Sequence, residues 1–86
     1  MWIIDLAFTG RPERLAARPA HRKVLEQLHE QGIVRMAGPL ADDSGAVIVV
    51  DAVNLDAVQR LIAADPYFST SGVSVERVRQ WEPFLS

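Results

Sequence analysis

The sequence contains no cysteine. A disulfide framework and thiolate chemistry are therefore both excluded, and the absence fits a reducing compartment. Long hydrophobic runs are also missing. The first apolar stretch, Met1 to Ile4, meets an acid at Asp5, with no basic region before it and no later stretch that approaches the length of a membrane span. We expect a soluble protein that is not exported and that resides in the cytoplasm.

An excess of charge of one sign is lacking as well. Nine basic residues stand against eleven acidic ones, which gives a net charge of −2. Such a balance offers no general attraction to phosphate backbones. We therefore expect no nucleic-acid partner and, because no apolar run approaches the length of a membrane span, no membrane partner.

Histidine, the commonest metal ligand, occurs only twice, at His21 and His29. Eight residues on a helix span about 12 Å, which is too far for two side chains to share one metal ion. No cysteine is present to complete a site. We expect no metal and no cofactor, and we interpret His29 as a surface or helix-edge residue.

The first half of the chain alternates in the manner of a strand and then repeats in the manner of a helix. Large apolar residues occupy the even positions of 2–9, which predicts a strand that ends at Gly10. Because a proline inside a helix costs about 3 kcal/mol, the helix is predicted to begin at Pro19 and to end before Gly32. His21 then lies in the first turn, four residues before Leu25, on the stripe that faces the sheet.

The second half gives a hairpin, a helix and a last strand. The predicted elements are strands 33–37 and 46–50, a helix capped by Asn54 and ended by Pro66, and a strand 73–81 with one slip of phase. The order βαββαβ is the ferredoxin-like split βαβ motif, an α+β fold with a four-stranded antiparallel sheet. Right-handed crossovers place both helices on one face of the sheet.

The length of 86 residues fits a single domain, residues 1–86, with a modest core. The helices leave one sheet face bare, yet Ala46 to Val50 is apolar on both sides. A sheet that is apolar on two faces needs a second cover. We therefore predict a homodimer in which the open sheet faces pack together.

This topology brings His21 and Asp65 to the same end of the molecule, together with the Gly38-Pro39-Leu40 bend. An imidazole titrates near neutral pH and suits a general base or acid. The helix dipole disfavours a carboxylate at a helix C-terminus, so a cationic partner for Asp65 is expected nearby. The pair is the candidate catalytic site; a structural histidine beside a helix-ending Asp-Pro is the alternative.

Several side chains near this end are candidates for substrate binding. The basic cluster at the approach to the first helix comprises Arg11, Arg14, Arg18, Arg22 and Lys23. It could hold a substrate carboxylate or phenolate, or it could simply be a solvated face. Arg18 is singled out, because Pro19 fixes its direction and Asp65 could be its partner.

Apolar candidates lie nearby. Pro39 belongs to the bend, and Tyr67, Phe68 and Trp81 could line a pocket around a small aromatic ring. The same aromatic side chains could equally be core or dimer contacts.

The order and spacing of these motifs resemble those of the YciI-like (YCII-related) proteins, relatives of the muconolactone-isomerase-like dimeric α+β barrels. The matching pieces are Arg18-x-x-His21, Gly32, Ala37-Gly38-Pro39-Leu40, the apolar third strand, Asp65-Pro66-Tyr67-Phe68, Gly72-Val73 and Trp81. The resemblance covers nearly the whole chain and implies a ferredoxin-like dimer with a His and Asp site, in a family where most members have no assigned reaction. The chain departs from the family in its arginine-rich run before His21 and at Val47 to Val50, where glycine is frequent.

Two functions remain open at this point. The first is a cofactor-free lyase or isomerase in which His21 moves a proton on a small cyclic or aromatic metabolite, Asp65 holds its tautomer and Arg18 steadies negative charge. The second is a non-catalytic, small-molecule-binding or accessory dimeric protein. A buried, fully satisfied histidine with no cavity beside it would favour the second.

Overall fold

A computed structural model describes the whole chain, Met1–Ser86. Its elements are β1 (Trp2–Phe8), α1 (Pro12–Glu30), β2 (Val34–Pro39), β3 (Gly45–Val50), α2 (Leu55–Ala64), a short 3-10 helix (Pro66–Ser69) and β4 (Val73–Gln80). The predicted βαββαβ order is confirmed. Neither helix combines the length and the apolar character that crossing a membrane requires.

The four strands form one sheet in the order β2-β3-β1-β4, and every neighbouring pair is antiparallel. Ile4 of β1 pairs with Ile48 of β3 at the centre of the core, and both are fully buried. Apolar side chains of both helices pack against this cluster: Leu25, Leu28, Val58, Leu61 and Ile62. The ferredoxin-like arrangement, with both helices on one face of the sheet, is therefore confirmed.

The predicted start of α1 is wrong, because the helix begins at Pro12 and carries Pro19 in its interior. Pro12 occupies a first-turn position, where the missing N–H has no intrahelical partner to lose. The early turns are anchored by Arg14, which is buried. Pro19 and Leu15 are exposed, so the carbonyl that Pro19 leaves without a partner can bind water. His21 consequently lies in the middle of the helix and not in its first turn.

The helix ends follow the local sequence. Gly32 has a φ of 79°, and the N–H groups of Gly32 and Ile33 donate to the carbonyls of His29 and Leu28, which is a Schellman motif. Asn54 caps α2 by accepting from the N–H of Ala57 at 2.9 Å. Both signals were predicted from the residue types.

The slip of phase in the last strand is a β-bulge. Asp5 pairs with Arg77 and Leu6 with Val75, so Glu76 has no opposite residue. The bulge turns Arg77 toward the open face, where Asp5 pairs with it at 3.6 Å and with Arg79 at 2.8 Å. The open face therefore carries ion pairs as well as apolar side chains, and it is less uniformly apolar than the sequence suggested.

Candidate functional site

His21 and Asp65 meet beneath α1. Nδ1 of His21 lies 2.6 Å from Oδ2 of Asp65, and the two residues are only 7% and 5% exposed. The second oxygen of Asp65 accepts the backbone N–H of Tyr67 at 3.0 Å. Asp65 is extended, as the residue before a proline is expected to be, and this conformation lets its side chain cap the 3-10 helix. The carboxylate is thereby fixed at both oxygens.

This contact assigns the tautomer of His21. An ionised carboxylate only accepts hydrogen bonds, so the proton is on Nδ1 and donates to Asp65. In the neutral imidazole Nε2 then carries the lone pair, and no protein group binds it. It is not among the buried polar atoms without a partner, and His21 lines the cavity described below. The free ring nitrogen is therefore open to the cavity.

Two aromatic rings hold the imidazole in place. Tyr67 stacks on His21 with a centroid distance of 3.9 Å and an interplanar angle of 10°. Phe68 meets the same imidazole edge-on at 5.5 Å and 86°. Stacking on one ring and edge contact with the other restrict rotation of the imidazole.

The cavity beside His21 lies between α1 and β2 and has a volume of about 510 Å³. Its lining side chains come from α1 (Arg18, His21, Arg22, Leu25, Glu26, His29), from β2 (Val34, Met36, Ala37, Gly38, Pro39) and from the floor (Phe8, Ala46, Ile48, Tyr67). Apolar walls with a few charged or titratable groups are typical of small-molecule sites. The volume admits a substituted six-membered ring.

Arg14 lies behind the site and is the residue that the sequence interpretation most underestimated. Its Nη2 donates to Asp43 at 3.0 Å. Its guanidinium carbon lies 4.3 Å from the centroid of the Phe8 ring, over the face of that ring. Burial disfavours the charged form of Arg14 and by itself would lower its pKa. The hydrogen bond to Asp43 and the nearby Tyr67 side chain have the larger combined effect, so the pKa of Arg14 is raised. Nε and Nη1 remain buried without a partner. Arg14 is a buried cation and not part of a solvated face.

The other predicted substrate-binding residues divide into two groups. Arg18, Pro39 and Tyr67 line the cavity. Arg18 pairs with Asp43 at 3.6 Å, so the suggested partner Asp65 is wrong for it. Arg11 and Phe68 do not reach the cavity wall.

The positions of those two residues and of Trp81 explain this. Arg11 is exposed just before α1, and its side chain packs on Gly72. A Cβ added to Gly72 would lie 2.8 Å from the Cβ of Arg11. Phe68 packs behind His21. Trp81 follows the end of β4, is 40% exposed and does not line the cavity.

His29 is a cavity residue that the sequence interpretation missed. It is exposed, as expected of a helix-edge residue, but its Nδ1 lies 2.8 Å from the carbonyl oxygen of Val34 and it lines the same cavity as His21. The available signal was its position two turns after His21, on an adjoining face of the same helix. No group of three or more His, Cys, Asp or Glu side chains is placed to hold a metal ion.

A solved structure with a similar fold is 5-chloro-2-hydroxyhydroquinone dehydrochlorinase from Burkholderia phenoliruptrix AC1100, in complex with 2,5-dihydroxybenzoquinone. The two structures agree with a TM-score of 0.62 at 16% sequence identity, over 95% of this chain and 94% of that one. At this identity the likeness shows a common fold.

Curated relatives are more similar in sequence. Protein YciI of Escherichia coli O6:H1 and Protein YciI of Shigella flexneri are each 34% identical over 65 residues, which make up 64% of this chain and 66% of the relative. The match therefore spans just under two thirds of their length. The family model of the YCII-related domain matches residues 4–82, nearly all of the fold described above, and the chain belongs to this family.

Proposed function

We propose that the cavity binds a small cyclic or aromatic metabolite and that His21 transfers a proton to or from it, in a cofactor-free lyase or isomerase reaction. One observation carries the proposal: a buried imidazole is held by a carboxylate at 2.6 Å while its other nitrogen opens into a cavity. A cavity beside His21 favours this function over a purely structural histidine. The chemistry uses only groups of the chain itself.

In the proposed reaction, Nε2 of His21 removes a proton from an acidic O–H or C–H group of the ring. The imidazolium that forms is stabilised by Asp65, which already holds the opposite nitrogen. The electron pair left behind delocalises into the ring. In an isomerase the imidazolium returns the proton to a ring carbon. In a lyase that carbon bears the leaving group: once it is protonated, a second ring hydroxyl loses its proton, the bond to the leaving group breaks, and the products are the anion, one proton and a quinone.

Arg18 is the proposed stabiliser of the developing negative charge. It lines the cavity, its side chain is 31% exposed, and its single ion pair with Asp43 is long at 3.6 Å. Such a guanidinium retains N–H donors for a substrate oxygen. Fixed donors aimed at a developing anion lower the barrier because they need no reorganisation.

The name of the structural neighbour supplies a substrate class to test. That enzyme is named for the dehydrochlorination of a chlorinated hydroxyhydroquinone. A hydroxylated ring that loses an anion after deprotonation fits the chemistry proposed for His21. For this chain we propose only the substrate class, a hydroxylated six-membered ring, and not the particular substrate of that enzyme.

We also propose that the protein acts as a homodimer through its open sheet face. Ile3, Val47 and Val49 lie on this face, opposite the helices. Ile3 and Val47 remain partly exposed there, whereas Val49 is already buried. A second copy would cover this surface and leave the cavity, on the other side of the sheet, free. The cytoplasmic location stays a prediction from the sequence.

The test combines ligand binding with turnover. Histidine ring resonances of the ¹⁵N-labelled protein are followed by NMR while phenolic, lactone and keto acids are added, and chloride release from 5-chloro-2-hydroxyhydroquinone is measured in parallel. We expect at least one compound to shift the His21 resonances. His21→Asn, whose amide can still donate to Asp65 but lacks Nε2, should abolish turnover.

A matched control is Asp51→Asn, which changes an exposed side chain outside the cavity and should leave turnover intact. Turnover that survives in His21→Asn would contradict the proposal. Ligand binding with no reaction of any compound would favour the non-catalytic, small-molecule-binding alternative.

A further inference from the structure

A second imidazole lines the cavity at a fixed separation from His21. His29 lies eight residues further along α1, about 12 Å along the helix axis. Leu25 lines the wall between the two histidines. Because His29 bonds to Val34 at the start of β2 while Pro39 ends that strand, the His29 end and the Pro39 end are opposite ends of one cavity. The cavity therefore has two imidazoles at separate points along its length, with that of His29 toward the Val34 end.

The hydrogen bond of His29 also assigns its tautomer. A carbonyl oxygen only accepts, so Nδ1 of His29 carries the proton and donates to Val34 at 2.8 Å. In the neutral ring Nε2 is then an acceptor, and no protein group binds it. An exposed histidine without this bond would sample several rotamers. The bond orders the ring and leaves one acceptor for a ligand.

The walls between the two histidines are apolar except for Arg22 and Glu26. Leu25, Ala46 and Ile48 offer contact to the faces of a ring but no hydrogen bond from their side chains. A six-membered ring with oxygens at opposite positions, extended by a hydrogen bond of about 2.8 Å at each end, has a length of the same order as the separation of about 12 Å between the two residues along the helix axis.

We infer that His29 is a specificity-determining residue of this cavity, and that it accepts a hydrogen bond from a ring hydroxyl opposite the oxygen that meets His21. The inference rests on the proposed function and narrows its substrate class to rings hydroxylated at both ends. Glu26 is a second acceptor in the same stretch of wall and is the competing candidate for this role.

The test compares two probes that differ only in the second hydroxyl, hydroquinone and phenol. Dissociation constants are measured by NMR on the full chain, with the His21 resonances as the reporter. One neutral hydrogen bond corresponds to a preference of about 3- to 10-fold for hydroquinone in the wild type. His29→Asn can still donate to Val34 but has no atom at the position of Nε2, so it should bind phenol normally and lose the preference.

Two further variants separate the candidates. His29→Gln, whose amide extends farther than that of asparagine, should restore part of the preference, and Glu26→Gln should retain it. A preference that persists in His29→Asn, or that disappears in Glu26→Gln alone, overturns the inference while His21 still reports binding. If neither probe moves the His21 resonances while another compound of the wider panel does, the inference fails and the proposed function stands. If no compound of that panel moves them, the proposed function fails as well.

Discussion

At the scale of single residues, the site depends on how Asp65 divides its two oxygens. One accepts from His21 and the other from the backbone of Tyr67. The second bond fixes the carboxylate in orientation, and the first fixes which imidazole nitrogen carries the proton. A residue that only ended a helix would need neither contact.

The substitution Asp65→Asn tests this division of roles. The amide oxygen is expected to keep the bond to the N–H of Tyr67, which turns the amide NH₂ toward Nδ1 of His21. Nδ1 must then accept, so the proton moves to Nε2 and the ring can no longer act as a base toward the cavity. We expect turnover to fall by about 10²- to 10⁴-fold.

The measurement that separates this mechanism from simple unfolding is a long-range ¹H–¹⁵N spectrum of the His21 ring. It should show the proton on Nδ1 in the wild type and on Nε2 in Asp65→Asn, with the backbone spectrum otherwise preserved. The Nδ1 tautomer persisting in the variant would contradict the assigned role of Asp65.

Asp43 carries a second residue-level prediction. It has a φ of 59° in the β2–β3 turn, and its carboxylate is the hydrogen-bonding partner of the buried Arg14. Asp43→Asn keeps a side chain that tolerates this conformation but removes the charge. Because Asp43 itself is 43% exposed and solvent screens the pair, we expect a loss of about 1–2 kcal/mol in unfolding free energy.

Asp43→Ala should lose about 1 kcal/mol more, because alanine is disfavoured in the left-handed region. Urea denaturation of the two variants measures both contributions. Equal stability of Asp43→Asn and the wild type would show that Arg14 does not depend on this charge.

At the scale of elements, the type and order of every helix and strand of the βαββαβ frame could be predicted from the sequence. Alternation, the Asn54 cap and Pro66 are local signals, and the structure follows them. The start of α1 could not be predicted, because what makes Pro19 tolerable is a tertiary fact: Arg14 packs on Phe8 and pairs with a distant turn.

The candidate site also contains some features that could be predicted from the sequence and others that could not. The proximity of His21 and Asp65 could be predicted from topology, because the two helices cover the same sheet face and α1 passes the residue that ends α2, although His21 lies in the middle of α1 and not in its first turn. The roles of Arg14 and His29 do not follow, because each depends on a contact with another element, Asp43 before β3 and Val34 in β2. Residue type alone placed His29 at the surface or the helix edge, and it left Arg14 between a substrate-holding cluster and a solvated face.

The interior proline of α1 gives a prediction at this scale. Pro19→Ala restores an N–H that can donate to the carbonyl of Leu15 and removes the steric conflict of the ring. Since the helix already forms around Pro19 on its exposed side, we expect the unfolding free energy to rise by about 1–3 kcal/mol. The control is Ala20→Gly, an exposed neighbour in the same turn, which should lower it by about 1 kcal/mol. Thermal and urea unfolding provide the measurement, and a less stable Pro19→Ala would mean that the proline is required by the packing of α1.

At the scale of the whole molecule, the sheet separates two surfaces. The helix side holds the cavity, with His21 buried against the floor of the fold. The opposite side presents β1 and β3 side chains, edged by the ion pairs of Asp5 with Arg77 and Arg79. A partner on the second surface can stabilise the molecule without closing the first.

If the open face is the dimer interface, stability must depend on protein concentration. The melting temperature should then rise by a few degrees for each tenfold increase in concentration, because association removes folded monomer from the unfolding equilibrium. Val47→Glu places a charge at the centre of this face and should give a monomer whose melting temperature no longer responds to concentration. Val53→Glu makes the same change at a residue that is 91% exposed in the loop before α2, and should behave as the wild type does. Analytical ultracentrifugation of the three proteins reports the association state directly. A wild-type monomer with a concentration-independent melting temperature would show that the fold is stable with its second face in water, and the homodimer would have to be abandoned.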